Sequence, residues 1–183
     1  DTGISLGVHE SQSRLWENLV GRSRPFWRHF FPQLQAAFPG ALGAIDVESF
    51  YRAINRSKPS LIRVEADEVT YNLHIIIRFE LELDLLTGSL HLDDLPVAWK
   101  EKYERYLGVR PENDAVGVLQ DIHWSSGAIG YFATYSIGNL LSVQLWNKAR
   151  EELPSLDADI AAGEFGTLLG WLRENIHPLS SKS

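Results

Sequence analysis

Apolar residues recur at helical spacing along most of the chain. Between His9 and about residue 38 they fall as Leu15/Trp16, Leu19/Val20, Phe26/Trp27 and Phe30/Phe31, the stripe of an amphipathic helix. Gly21 and Pro25 interrupt the run and are expected to bend or split it. Pro39-Gly40 punctuates, and Asp46 reads as the N-cap of a short helix through Ile54. After Lys58-Pro59-Ser60, the run Leu61, Ile62 and Val64 favours extended backbone, so a short β piece is expected near residues 58–65. Asp67 reads as the N-cap of a long helix from Glu68 to Leu86 that Thr87-Gly88 closes. Asp93-Asp94 opens another helix, through Trp99 and Tyr103 to Leu107. Ser126 to Leu153 reads as one long helix that keeps Gly127, Gly130 and Gly138. Each glycine costs a helix about 1 kcal/mol against alanine, so this one is expected to approach something closely. Leu156–Ala162 and Glu164–Ile176 complete the set. The expected fold is mainly α: one multi-helix domain over 1–177, the single β piece, and a disordered tail over 178–183.

Composition narrows the function classes. The chain has 183 residues, 44% hydrophobic and 11% aromatic, enough for a proper core. Its net charge of −7 argues against a nucleic-acid partner, which requires a basic face. No cysteine is present, which excludes a disulfide framework and a thiolate metal site. The apolar runs fall short of the roughly 18 residues of a membrane span, so no membrane partner is expected.

Candidate chemistry begins at His9-Glu10-Ser11-Gln12-Ser13-Arg14. Glu10, Ser13, Arg14 and Glu17 share one helix face, opposite Leu15, Trp16, Leu19 and Val20. Two further segments stand out: Ile62-Arg63-Val64-Glu65-Ala66-Asp67, and Gly117-Val118-Leu119-Gln120-Asp121-Ile122-His123-Trp124. Together they resemble, in order, the HES(G/Q)S, I(R/A)xxAD and GxxQDxHW segments of the thermostable (Taq-type) zinc metallocarboxypeptidases. The resemblance covers nearly the whole chain to about Ile176.

That resemblance implies the C-terminal part of a larger helical catalytic domain. It implies release of C-terminal amino acids from peptides by zinc-activated water, with cobalt as an alternative metal, in a cytoplasmic homodimer. Glu10 would be the third metal ligand; as a lone glutamate on an amphipathic helix it would otherwise be a solvated or capping residue. His9, Arg14 and Glu17 would orient it from outside, although a plain helical ion-pair stripe looks the same. His123, held by Asp121, would stabilise an oxyanion with Tyr131 or Tyr135, whose spacing places both phenols on one face. The bland alternative is a satisfied core histidine and two structural tyrosines. Arg63 would bind a substrate's terminal carboxylate, or else pair with Glu65 or Asp67. Asp67 is explained as a cap, and His74 as core packing.

The family's HExxH segment is absent. Two histidines one turn apart hold the zinc, and the glutamate between them activates water. The histidines here, at positions 9, 29, 74, 91, 123 and 177, include no such pair. Because HExxH precedes the HES segment in the family, and because no methionine is present, the chain is expected to be a portion trimmed at both ends. Alone it is expected to bind no metal and to be catalytically silent. The competing class is a truncated helical module kept for interaction or dimerisation.

Overall fold

The computed structural model describes residues 5–178. Backbone contacts gather the chain into two compact units, residues 1–55 with 137–183, and residues 56–136. Beyond Pro178, the expected tail lies outside the described residues.

The first unit opens with α1 (Leu6–Arg14), which passes into a π-helical turn over Leu15–Val20. Gly21 ends that turn by donating its N–H to the Trp16 carbonyl at 2.8 Å. α2 (Arg24–Ala37) starts at once: Ser23 Oγ accepts from the Phe26 N–H at 3.3 Å. Pro25 sits in the first turn, where a missing N–H costs nothing. The split expected at Gly21 and Pro25 is therefore a helix end followed by a helix start. α3 (Pro39–Leu42) and α4 (Val47–Ile54) follow, and Asp46 caps α4 through the Ser49 N–H at 2.9 Å. α8 (Leu156–Ala162), α9 (Gly166–Asn175) and most of α7 (Phe132–Glu152) complete the unit. Its core is Leu15, Val20, Ala149, Leu156, Ile160, Leu168, Trp171 and Leu172. Each large apolar side chain buried there contributes about 1.5–3 kcal/mol.

The second unit is built on α5 (Tyr71–Leu86), α6 (Leu95–Leu107) and the first turn of α7. One cluster joins Ile77 and Leu81 of α5 to Leu95, Trp99, Tyr103 and Leu107 of α6. A second holds Ala66, Tyr71, Ile75 and Phe132. α6 closes at Gly108, whose φ of 68° places it in the left-handed region that glycine tolerates.

The mainly α expectation holds, with three corrections. No strand forms near 58–65 among the described residues; Arg63–Glu65 is a 3₁₀ turn. The reason is local satisfaction of the backbone. The Gln120 side chain accepts the Arg63 N–H at 2.9 Å and donates to the Leu61 carbonyl at 3.0 Å, so one amide supplies the bonds a partner strand would. The helix expected from Ser126 begins at Phe132 instead, because Gly127 and Gly130 each take φ of 79° in turns. The helix expected from Glu68 begins at Tyr71. Asp67 accepts from the N–H groups of Val69 and Thr70 at 2.9 and 3.0 Å, and from those of the preceding loop at Lys58, holding a turn ahead of the helix.

Candidate active site around Asp121 and His123

In α5, His74, Arg78 and Glu82 lie four residues apart and therefore on one face. All are buried, at 0%, 0% and 5% exposure. This stripe organises the segment that carries Gln120, Asp121, His123 and Trp124. Arg78 Nε donates to Asp121 Oδ2 at 2.6 Å, and Arg63 reaches Asp121 Oδ1 with Nε at 2.9 Å and Nη2 at 2.7 Å. Gln120 Oε1 accepts from Arg78 Nη2 at 2.9 Å as well as from the Arg63 backbone. The remaining Arg78 nitrogen caps the His74 carbonyl at 2.8 Å, and its guanidinium lies 4.6 Å from the Trp99 ring centre.

Two guanidiniums thus share one carboxylate out of water. Burial pushes the Asp121 carboxyl up, but the hydrogen bonds from Arg63 and the charge of Arg78 outweigh it and hold it below the usual range. Arg63 is not paired with Glu65 or Asp67: its third nitrogen, Nη1, donates to the Tyr71 hydroxyl at 2.8 Å.

His123 stands beside this cluster, its side chain 13% exposed. Nε2 meets the Tyr135 hydroxyl at 2.9 Å, while Nδ1 is buried without a hydrogen bond and lies 3.9 Å from Asp121 Oδ1. Phe132 covers the ring at 4.3 Å between centres, and Tyr131 lies 5.7 Å away. Burial, followed by the Arg63 charge, lowers the His123 pKa from its ordinary value, so the ring is neutral at neutral pH. His74 finds a partner the sequence did not name, the Tyr103 hydroxyl at 3.0 Å. Burial and then the Arg78 charge lower its pKa to about 4.

Of the sequence candidates, Arg63, Asp121, His123, Tyr131 and Tyr135 come together in the second unit. The others lie on α1 and the π-helical turn of the first unit. There Arg14 Nε donates to Glu10 Oε1 at 3.1 Å and Nη1 approaches Glu17 Oε2 at 3.5 Å. Glu10 and Arg14 are only 13% and 12% exposed, Glu17 is 52% exposed, and the His9 side chain is exposed. Arg78 and Glu82 were missed. The signal was their register with His74 at four-residue spacing, but Glu80 and Asp84 show the same charged spacing on the more exposed side, so the pattern alone did not separate them.

A model of the carboxypeptidase Taq (M32) metallopeptidase family matches residues 1–182. The chain belongs to that family. It is 55% identical over 179 residues to thermostable carboxypeptidase 1 of Thermus thermophilus, covering 98% of this chain and 35% of that protein. Carboxypeptidase 1 of Bacillus subtilis is 47% identical over 175 residues, covering 96% and 35%. The crystal structure of an M32 carboxypeptidase from Deinococcus radiodurans R1 superposes with a TM-score of 0.89 at 52% identity, over 96% of this chain and 36% of that one. The M32 chain described here therefore spans about a third of the length of the relatives it matches.

The family's name implies a metal. Among the described residues, no group of three His, Asp or Glu side chains converges to hold one. Glu10 fits a single ligand position, as a largely buried carboxylate oriented by Arg14. The donors of this M32 chain do not by themselves fit a complete metal site. No helix among the described residues is long and apolar enough to cross a membrane.

Proposed function

We propose that this chain carries the oxyanion and substrate side of the active site of a zinc carboxypeptidase that releases C-terminal amino acids from peptides. The observation supporting this is the His123–Tyr135 pair, desolvated and set beside the Arg63–Asp121–Arg78 cluster. Zinc as the metal, a homodimer and a cytoplasmic location belong to the same proposal and rest on resemblance to the family. Glu10 is proposed as one zinc ligand, with the histidine ligands lying outside this chain.

The proton inventory assigns the roles. A neutral imidazole and a phenol bring two hydrogens between them, and the Nε2–Oη contact uses one. With the imidazole proton on Nε2, His123 donates to the Tyr135 hydroxyl; with it on Nδ1, the phenol donates to Nε2. In the Nε2–H tautomer, donation from His123 strengthens the Tyr135 phenol as a donor to a developing oxyanion. Tyr131, across from both rings, is the second phenol of the pair. The charges of Arg63 and Arg78 are offset by Asp121 and Glu82, so the hydrogen-bond donors, not a net charge, are what would favour a negative tetrahedral intermediate. In this geometry the Arg63 fork holds Asp121; turning towards a substrate carboxylate requires it to release one of those bonds.

The test replaces the matching segment of the Thermus thermophilus relative with this chain and assays release of C-terminal residues. His123→Ala is expected to lower kcat by about 100-fold or more, in line with loss of an oxyanion donor. Wild-type kcat in a folded His123→Ala chimera refutes the role. Glu10→Ala is expected to lose bound zinc; retained stoichiometry with full activity removes Glu10 from the ligand set.

A further inference from the structure

We infer that Glu82 is a positioning residue for the His123–Tyr135 pair, acting as a clasp across the segment that separates them. This rests on the reading of His123 and Tyr135 given above.

Glu82 projects from the buried stripe of α5 with 5% of its surface exposed. Oε2 accepts from the Trp124 indole N–H at 2.7 Å, and Oε1 from the Gly130 backbone N–H at 2.7 Å. Both donors are neutral, and among the described residues no cation forms an ion pair with it. A buried carboxylate without a cation is a costly way to stabilise a fold, and an apolar side chain of similar volume would suit the same helix face. Its specific effect is geometric: one oxygen holds each end of residues 124–130.

His123 lies immediately before one end, Tyr131 immediately after the other, and Tyr135 one turn into α7. The 2.9 Å contact between His123 Nε2 and the Tyr135 hydroxyl closes this ring of interactions. Between the two ends the backbone folds on itself, with the Ala128 N–H donating to the His123 carbonyl at 2.8 Å. Gly130 meets the carboxylate at φ of 79°, a conformation that side chains rarely adopt. Charge-assisted bonds of this length are the strong kind, and a carboxylate fixed at both oxygens has little rotational freedom. The span of Glu82 therefore sets how far His123 stands from Tyr135. The charged and titratable groups around the imidazole are Arg63, Arg78, Asp121, Glu82, Tyr131 and Tyr135; of these, only Glu82 binds both ends of the intervening segment.

The experiment uses Glu82→Gln and Trp124→Phe, each checked for native helix content by far-UV circular dichroism. Glutamine cannot accept at both ends, and phenylalanine removes one donor while leaving the carboxylate in place. His123 ring-nitrogen shifts and titration are followed by NMR in this chain, and turnover in the Thermus chimera. The positioning role predicts that in both variants the His123 titration moves towards that of a solvated imidazole. It also predicts that kcat falls by about tenfold or more, with KM changed less than about twofold. An unchanged titration and unchanged kcat in the folded variants overturn it. If Glu82→Gln unfolds, Trp124→Phe decides alone. His123→Ala separates the two readings: if it leaves kcat intact, His123 has no chemical role, and the NMR titration alone then decides whether Glu82 positions the ring.

Discussion

Gly138 of α7 is buried directly against Glu10 of α1. A Cβ built at Gly138 would stand 2.8 Å from both Cβ and Cγ of Glu10, closer than side-chain carbons approach. The glycine that weakens this helix is the one that lets the Glu10 side chain lie along it. The sequence pattern had already required such an approach, and the structure supplies its partner.

Gly138→Ala should therefore destabilise the protein, although alanine is the better helix former. Alanine gains about 1 kcal/mol in an open helix, whereas forcing atoms apart in a packed contact costs about 1–3 kcal/mol. The expected net loss is about 1 kcal/mol, seen as a lower denaturant midpoint with an unchanged slope. A midpoint equal to or above that of the parent shows that α1 yields to the added methyl at no cost.

Asp121→Asn leaves Arg63 and Arg78 buried with no negative partner. Removing one member of such a cluster costs about 3–5 kcal/mol, so the asparagine variant should melt early or fail to accumulate. Because the carboxyl is held below its usual range in the fold, its contribution is fully present above the unfolded pKa. It is lost only as pH falls through the lower folded value. The parent should lose stability in that acid window, and a folded Asp121→Asn variant should lose less of it there.

His74 gives a dependence in a different window. Its pKa falls from 6.5 to about 4 in the fold, so the unfolded chain binds a proton that the native state refuses. The associated stability is complete above pH 6.5 and is lost as pH drops towards about 4. A shift of this size corresponds to roughly 3 kcal/mol at most. Denaturation midpoints measured across that range should decline for the parent and much less for His74→Gln. A parallel decline in both assigns the effect to other groups.

Gln120→Ala tests the amide that takes the place of a strand. The change strands the Arg63 N–H and the Leu61 carbonyl, and also frees the Val116 carbonyl, which accepts from Gln120 Nε2 at 3.1 Å. Buried backbone groups left without partners cost about 1–3 kcal/mol each, so a loss of roughly 2–3 kcal/mol is expected. Hydrogen exchange should show the 61–63 backbone losing protection first. Unchanged protection there indicates that water replaces the amide without penalty.

Local pattern decided the helices well where a break or cap is encoded next to the element it controls. Gly21, Pro25 and Asp46 each act within a turn of where they stand, and Gly88 and Gly108 follow the ends of their helices in the left-handed conformation that glycine tolerates. The errors fell where a distant group intervened. Leu61, Ile62 and Val64 have strand-forming side chains, yet a glutamine 57 residues from Arg63 satisfies the backbone there. Gly127 and Gly130 fit a helical pattern on paper, but their positive φ belongs to the turns that Glu82 secures.

Sequence alone determined the mainly helical fold, the family and the residues that carry its motifs, because periodicity, capping and motif spacing act over short stretches of chain. Tertiary structure decided how those residues are held. Asp121 meets Arg63 and Arg78 across 58 and 43 residues, and Glu82 meets Gly130 across 48. A buried charge is tolerable only when its partners lose water together with it, and which side chains do so depends on the packing of α5 against the segment after α6. That is why Arg78 and Glu82, unremarked in the linear pattern, become the residues that hold the site.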